Sequence, residues 1–304
     1  MKILFKLYSE LLPVMAFIPI GYFVKKWIKV KPEYVSGPLI KVLLPLLVFF
    51  NVLDAEAEKL YILPIFTFLL ALAMIPAANI AHKYFAKDSN PLLLRSSFSF
   101  FNIAFFGIPT VTALYGEDKV SALICIYLGS ALYGDTIGYY QVAKTNHSPK
   151  KALVEVLKIP FLYVLIAAVI SKVFEAETPD FMEPILKVIS LVVSCAGMLI
   201  VGFQLSDVKF KNLELGYFGK ILGFRTVAAV LILGLLMLAE YFIFKVLDDT
   251  DYKMLLLVSL FPVAANVTVF ASFLKTEEEQ SSLLVFLSAM LSLVLVSVAA
   301  LFLS

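Results

Sequence analysis

The chain contains few residues that hold metals, cofactors or disulfide bridges. Among its 304 residues there are two cysteines, two histidines and one tryptophan. Cys125 and Cys195 fall in apolar segments, and His82 and His147 fall at the polar edges of such segments. Neither pair has the spacing of a metal site or of a disulfide framework. We therefore expect no metal and no cofactor, and we expect the cysteines to act as packing residues.

Charge is also scarce. Charged residues make up 16% of the chain, and the formal net charge of +2 is too small to indicate a nucleic-acid partner. Hydrophobic residues make up 61% of the chain, and the mean hydropathy is +0.94. A soluble domain averages about 25% charged residues and at most about half apolar residues. The composition therefore predicts an integral membrane protein embedded in a lipid bilayer.

Ten apolar stretches are long enough to cross a bilayer, which takes about 20 mostly apolar residues in a helix. They lie at about 8–25, 37–54, 60–81, 92–114, 119–142, 159–175, 183–205, 216–246, 254–274 and 281–303. The longest connection, 143–158, lies near the middle and is predicted to be a cytoplasmic loop. The expected fold is all-α, with a five-helix unit at 1–142 and a second at 159–304.

The distribution of Lys and Arg predicts the orientation in the membrane. The odd-numbered connections carry about twice as many Lys and Arg residues as the two chain ends and the even-numbered connections together. Examples are Lys25, Lys83, Lys150 and Lys209. Positively charged loops remain in the cytoplasm. We therefore expect a multi-pass protein of the cytoplasmic membrane with both termini outside. The acidic stretches "DAEAE" and "DDTD" fall on the predicted outer face.

The two units are predicted to be inverted repeats, because five spans leave the second unit starting on the opposite side of the membrane. The second span ends in "LVFFNVLD" and the seventh in "IVGFQLSD", and the similarity of these endings supports a repeat. The alternative is that both are ordinary polar helix ends. The fourth and ninth spans correspond more closely. The fourth reads "FNIAFFGIPT" and the ninth "LFPVAANVTVFASF", so both carry a proline and an asparagine.

These two spans predict a binding site at a crossing of broken helices. Proline removes a backbone donor, and unpaired backbone groups are costly in hydrocarbon unless they line a cavity or are buried in protein. The amino-terminal end of a half-helix offers free N–H groups and partial positive charge, which suit an anion. The candidate substrate-binding residues are Asn102, Gly107, Pro109, Pro262, Asn266 and Thr268. The alternative is that the prolines only kink the helices and the asparagines only hold them together.

Three stretches resemble the auxin efflux carrier family, which includes bacterial members and the plant PIN carriers. They are "GYFVKK" with the following "KVLLPLLVFFNVL", "NIAFFGIPTVTALYGED", and "LFPVAANVTVFASFLKTEEEQSSLLVFLSAMLSL". By position, Asn102 and Pro109 match the fourth-helix motif of the family, and Asn266 matches the asparagine of the ninth helix. Some relatives have a proline directly after that asparagine, where this chain has Val267.

The resemblance implies a secondary transporter of small organic acid anions, not an enzyme. It implies a scaffold of helices at about 8–54 and 159–205. The transporter helices would lie at about 60–142 and 216–303 and would move like an elevator. The resemblance is also compatible with a homodimer. The related bile acid/sodium symporters offer a sodium-coupled alternative, for which Asn102, Thr110, Thr112, Asn266, Thr268 and Ser272 are possible cation ligands.

Charged residues inside the spans form a further group of candidates. Asp135 lies deep in the fifth span and is either a proton or cation site or a structural carboxylate held by Tyr or Thr hydroxyls. An intramembrane aspartyl protease would need a second carboxylate beside it, and none is suitably placed. Arg225 and Glu240 share the eighth span, about 22 Å apart at the helical rise. We expect both to lie near the ends of that span.

Overall fold

The computed structural model describes residues 2–208 and 214–303, and this part of the chain is built from helices. Lys209, which the orientation prediction uses, lies outside the described residues. The α-helices are α1 (Lys2–Met15), α2 (Phe17–Ile28), α3 (Glu33–Pro38), α4 (Leu44–Asp54), α5 (Ala57–Tyr84), α6 (Pro91–Ser99), α7 (Ile108–Tyr115), α8 (Val120–Tyr133), α9 (Tyr139–Asn146), α10 (Pro149–Val156), α11 (Pro160–Val173), α12 (Met182–Leu205), α13 (Leu215–Ile243), α14 (Asp249–Ser259), α15 (Asn266–Leu274) and α16 (Glu278–Leu303).

Seven helical stretches of the described residues are long and apolar enough to cross a membrane. They are Lys2–Ile28, Glu33–Asp54, Ala57–Tyr84, Glu117–Asn146, Met182–Leu205, Leu215–Ile243 and Glu278–Leu303. The pair α10 and α11, bent by 49°, passes the same test as one unit. The prediction of an all-α, multi-pass membrane protein is confirmed at this level.

The segment 143–158, predicted to be a connecting loop, is largely helical. Helix α9 continues to Asn146, and α10 begins at Pro149. Ser148 accepts a hydrogen bond from the backbone N–H of Lys151 and so caps α10, whose first residue is a proline. Both residues favour a helix start. The polar composition that suggested a loop belongs instead to a short amphipathic helix.

We divide the helices into two bundles, which follow the scaffold and transporter helices that the resemblance implies. The first bundle contains α1–α4, α11 and α12, in which α2 packs on α12 and α4 on α11. The second bundle contains α5–α9 and α13–α16, in which α5 packs on α6, α8 and α13. Close backbone contacts hold each bundle: a Cβ atom at Gly202 would lie 2.0 Å from the Ile18 carbonyl oxygen, and one at Gly129 would lie 1.9 Å from that of Pro64.

Contacts between the bundles are mostly apolar. Helix α7 packs on α1, α8 on α4, and α16 on α12. Among the described residues, one ion pair joins the two bundles, between Lys187 of α12 and Glu117 in the turn before α8 (2.9 Å). Both of these side chains are about half exposed. An interface of this kind has little directional bonding to hold the bundles in one relative position.

Ends of helices that the sequence places on one side of the membrane also contact each other. On one side, Lys25 pairs with Asp207, and the amide of Asn146 donates to the Phe273 carbonyl. On the other side, Lys172 donates to the Leu53 carbonyl (2.7 Å). These contacts agree with the predicted separation of the connections into two sets, one on each side of the membrane. They do not show which set faces the cytoplasm.

Candidate functional site: a crossing of two interrupted helices

Two helical segments are interrupted at the same place in the second bundle. Helix α6 ends at Ser99 and α14 ends at Ser259. Phe101 then pairs with Val263 in an isolated antiparallel bridge. The two interruptions therefore touch each other directly.

Backbone hydrogen bonds on both sides of this bridge replace the lost helical ones. The N–H of Asn102 donates to the Pro262 carbonyl (2.8 Å), and the N–H of Ala264 donates to the Phe100 carbonyl (3.1 Å). In an apolar environment each unpaired backbone group is costly. Each interruption thus supplies backbone partners that the other needs. We call residues 100–102 together with 262–264 the crossover.

The first interruption is closed by Asn102, which is buried. Its Oδ1 accepts a hydrogen bond from the Phe105 backbone N–H (3.2 Å), so the side chain caps the helix that follows. Its amide nitrogen makes no hydrogen bond within the described part of the chain. The helix resumes with a π-helical turn, Ile103–Gly107, and Pro109 follows at the start of α7. Pro109 therefore lies beyond the interruption, on the first turns of the next helix.

Gly107 brings the two interrupted helices into contact. A Cβ atom at this position would lie 2.8 Å from Cε2 of Phe261. The rings of Phe106 and Phe261 also meet edge to face, with centroids 5.6 Å apart. A larger residue at position 107 would push against the aromatic ring that precedes Pro262.

The second interruption is longer and is supported by a neighbouring helix. The N–H of Val263 donates to Oγ of Ser288 on α16 (3.0 Å). Pro262 is buried within the interruption, and Thr268 is buried in the first turn of α15, where its hydroxyl donates to the Ala265 carbonyl (2.7 Å). Asn266 begins α15, is exposed, and makes no side-chain hydrogen bond with the described residues.

Arg225 of α13 joins both interrupted helices. Its guanidinium donates from Nε to the Ser97 carbonyl (2.8 Å), from Nη2 to that of Phe100 (3.2 Å) and from Nη1 to that of Phe261 (3.1 Å). The side chain is 2% exposed. The carboxyl ends of helices carry partial negative charge and unpaired carbonyls, which a cation satisfies.

This position of Arg225 corrects the prediction that it lies near an end of its span. It lies ten residues into α13, and the three carbonyls it binds belong to Ser97 of α6, to Phe100 of the crossover and to Phe261, two residues after the end of α14. The signal in the sequence was the presence of an arginine within a long apolar run, since such a residue is a functional candidate by default. Glu240, by contrast, does lie near the end of α13, where its carboxylate accepts the N–H groups of Val246 and Leu247.

Asp135 lies beside the crossover, on a π-helical turn formed by Gly134–Gly138. A Cβ atom at Gly138 would lie 2.6 Å from Cζ of Phe100, so this turn packs directly on the crossover. Asp135 is partly buried and makes no hydrogen bond or ion pair with the described residues. The expected alternative, a carboxylate held by Tyr or Thr hydroxyls, has no such partner in the described part of the chain.

A large cavity opens between the two bundles. Its volume is about 870 Å³, and Asn51, Pro109, Thr112 and Ser194 contribute polar or helix-start groups to its wall. Of the sequence-predicted site residues, Pro109 and the possible cation ligand Thr112 line it. Five carboxylates and the Lys187 ammonium also line the cavity: Glu10, Asp54, Glu117, Asp118 and Glu183. The cavity therefore leads from an acidic entrance to the first turns of α7.

A cluster of ion pairs holds the start of α14 to α5. The Lys59 ammonium pairs with Asp248 (2.8 Å) and with Asp251 (3.0 Å). Lys59 and Asp251 are buried. Burial opposes ionisation of Asp248, but its hydrogen bond and attraction to Lys59 outweigh that effect and hold the pKa of Asp248 below its usual value.

The geometry unites part of the predicted set. Asn102 and Pro262 meet through a backbone hydrogen bond, and Gly107 contacts the residue before Pro262. Asn266 and Thr268 lie on the helix that leaves the second interruption. No protein-family model matches this chain, and no curated protein is significantly similar to it. The resemblance to the auxin efflux carrier family stays a prediction.

Proposed function

We propose that this protein is a carrier that moves small organic acid anions across the cytoplasmic membrane by alternating access. The observation that carries the proposal is the crossover, where two interrupted membrane-depth helices pair through the Phe101–Val263 bridge. Interrupted helices of this kind are characteristic of substrate sites in secondary transporters, because the loose ends present polar groups in the middle of the membrane. The proposal involves no covalent step.

We further propose ten membrane crossings arranged as two inverted five-helix repeats, with the family assignment to the auxin efflux carriers. The seven long apolar stretches, the bent pair α10–α11, and the two interrupted segments around the crossover account for ten. In this count the interrupted segments are the fourth and the ninth crossings. They are then equivalent in the two repeats, which explains why both carry a proline and an asparagine.

The substrate carboxylate is proposed to bind at the helix starts that follow the two interruptions. The helix after Asn102 and the helix α15 both begin close to the crossover, and the partial positive charge of their starts suits an anion. The free amide nitrogen of Asn102 and the exposed side chain of Asn266 add neutral donors. Thr268, Gly107 and Pro109 shape these first turns.

An elevator-type movement of the second bundle against the first is proposed for the transport step. Glycine contacts with backbone hold each bundle together internally. The contact between the bundles is mostly apolar, with the Phe105 ring packed on Gly197 of α12, and carries one ion pair among the described residues. Such an interface permits sliding with small changes in bonding. The cavity of about 870 Å³ between the bundles reaches Pro109 at the start of α7 and is proposed as the outer part of the route to one side of the membrane.

Export driven by the membrane potential is the proposed direction. An inside-negative potential favours outward movement of an anion by about 2.3 kcal/mol per charge for each 100 mV. Sodium coupling is the second candidate, since the hydroxyls of Thr110 and Thr268 donate to backbone carbonyls and keep their lone pairs for a cation.

The test is a binding screen and a flux assay with the purified full-length protein. Monocarboxylates and dicarboxylates are added with and without sodium at two pH values, and thermal stability is measured. Proteoliposomes then report uptake of the acid that binds best, at several imposed potentials. We expect binding without sodium and flux that follows the potential. Flux that requires sodium supports the symporter instead, and a protein that binds and transports none of the acids contradicts the proposal.

A further inference from the structure

Arg225 is a buried cation without an anionic partner among the described residues. Its guanidinium contacts three backbone carbonyls, and no carboxylate of residues 2–208 or 214–303 lies within ion-pair distance of it. Charged side chains inside proteins are almost always paired, because removing a charge from water is expensive. An unpaired arginine at membrane depth therefore needs an explanation beyond packing.

The guanidinium also retains unused donors. It has five N–H groups, and the three hydrogen bonds to carbonyls use one N–H on each of its three nitrogens. One N–H therefore remains on Nη1 and one on Nη2. The flat face of the group is covered by the Phe101 ring, 4.1 Å from the guanidinium carbon, so the unused donors lie in the plane and away from the ring.

A purely structural role explains the hydrogen bonds but leaves the charge unexplained. Neutral donors such as serine hydroxyls satisfy backbone carbonyls, as the buried Ser99 hydroxyl does for the Ala71 carbonyl (2.8 Å). The two helix ends together offset about one positive charge, but the two helix starts that follow the interruptions add a similar partial positive charge. What remains is a net positive potential at the crossover, in a region of low dielectric where its effect is strong.

The other unpaired charge near the crossover has the opposite sign. The turn that carries Asp135 packs on Phe100, whose carbonyl is one of the Arg225 acceptors. One carboxylate bound at the crossover would be attracted by Arg225. A second carboxylate on the same ligand would find no other cation bonded to the crossover among the described residues and would be repelled by Asp135 when that group is ionised.

We propose that Arg225 determines substrate charge: its single fixed positive charge selects monovalent carboxylates over neutral molecules and over dicarboxylates. This inference rests on the proposed transport function and names the substrate class within it. Arg225 is a specificity-determining residue that acts at the crossover while it holds the two interrupted helices.

The experiment measures charge discrimination in the wild-type protein first. Benzoate, phenylacetate and lactate are compared with benzamide, phenylacetamide and lactamide, and with succinate and malate, by isothermal titration or thermal shift. We expect the best monocarboxylate to bind at least about 10-fold more tightly than its amide and than either dicarboxylate. This series needs no variant and so does not depend on folding of a mutant.

Three variants then assign the discrimination to Arg225. Arg225→Gln is expected to reduce the ratio of acid to amide affinity to near one, and Arg225→Lys, which keeps the charge, is expected to retain most of it. The matched control is Arg95→Gln, because Arg95 lies on α6 but bonds the side chain of Asn79 and not the crossover. Arg95→Gln should keep the wild-type ratio.

The outcomes separate the two proposals. If no acid of either valence binds or is transported, the transport function itself fails. If acids bind but the amides or dicarboxylates bind equally well, the role of Arg225 is overturned while the transport function stands. An unchanged acid-to-amide ratio in folded Arg225→Gln also overturns it, because a purely structural residue would alter both affinities together.

Discussion

The two interrupted helices meet at one crossover but are stabilised differently. At the first interruption the buried side chain of Asn102 caps the next helix through the Phe105 N–H. At the second, Asn266 is exposed and unbonded among the described residues, and support comes from Ser288 on another helix. The same residue type thus caps a helix at the first interruption and bonds no described residue at the second.

Their far ends differ in the same way. The start of α14 is anchored within its own bundle by buried Lys59, whereas the turn after α7 is tied across to the first bundle through half-exposed Lys187 and Glu117. Buried ion pairs are costly to break, and exposed ones contribute little. One interrupted helix is therefore fixed to its bundle, and the other carries a weak link to the neighbouring bundle.

The largest effect is expected from Lys59→Gln. Loss of the ammonium leaves the buried Asp251 carboxylate without its cation, at a cost of about 3–5 kcal/mol. We expect a large drop in Tm and in the yield of monodisperse protein. Thermal unfolding in detergent checks this, with Lys187→Gln as the matched control. A Tm close to that of the wild type would mean that α14 is not anchored through Lys59.

Gly107→Val is expected to destabilise the crossover by about 1–3 kcal/mol through overpacking against the Phe261 ring. The matched control is Gly223→Val, because Gly223 of α13 has no atom within 4 Å of an added Cβ. Tm should fall for the first variant and change little for the second. Equal effects would show that helix propensity, and not contact between the two interruptions, sets the cost.

Asn102→Ala should lower stability by about 1 kcal/mol, because a helix cap is lost and the Phe105 N–H loses its acceptor. Asn102→Asp should restore much of this stability, since aspartate is an equally good cap. Tm values of the two variants, measured side by side, test the assignment. If alanine is tolerated without loss, the two interruptions do not differ in the way described.

Asn266→Ala should leave Tm unchanged, because the side chain is exposed and bonds no described residue. If it donates to the substrate carboxylate, affinity should fall several-fold, as expected for loss of one hydrogen bond of about 1 kcal/mol. Titration with the best monocarboxylate measures the change. Full affinity in this variant would remove Asn266 from the site.

A small change in stability is expected for Lys187→Gln, since half-exposed ion pairs contribute about 0–1 kcal/mol. Its effect should appear instead in the transport rate, because this pair links the two bundles. Glu117→Gln should change the rate by the same factor, and the double variant should add nothing further. Additive effects in the double variant would show that the two groups act separately.

Part of the site was predictable because it depends on local sequence. Asparagine and proline within an apolar run predict an interruption wherever the run lies, and both segments are interrupted. The position of the first interruption was harder to predict from the sequence. It ends at Asn102, whereas Gly107 and Pro109 lie on the helix after it. Ser288 was missed because a serine in a membrane helix usually bonds its own backbone.

The sequence by itself determined the all-α membrane class, the separation of the connections into two sets, and the two segments that break. These properties follow from hydropathy and residue type over windows of about 20 residues. Tertiary structure alone decided that the two interruptions pair and that Arg225 joins them. Its three acceptors lie 128, 125 and 36 residues away along the chain. Which carbonyls a buried guanidinium reaches depends on how distant helices pack, and no local pattern encodes that distance.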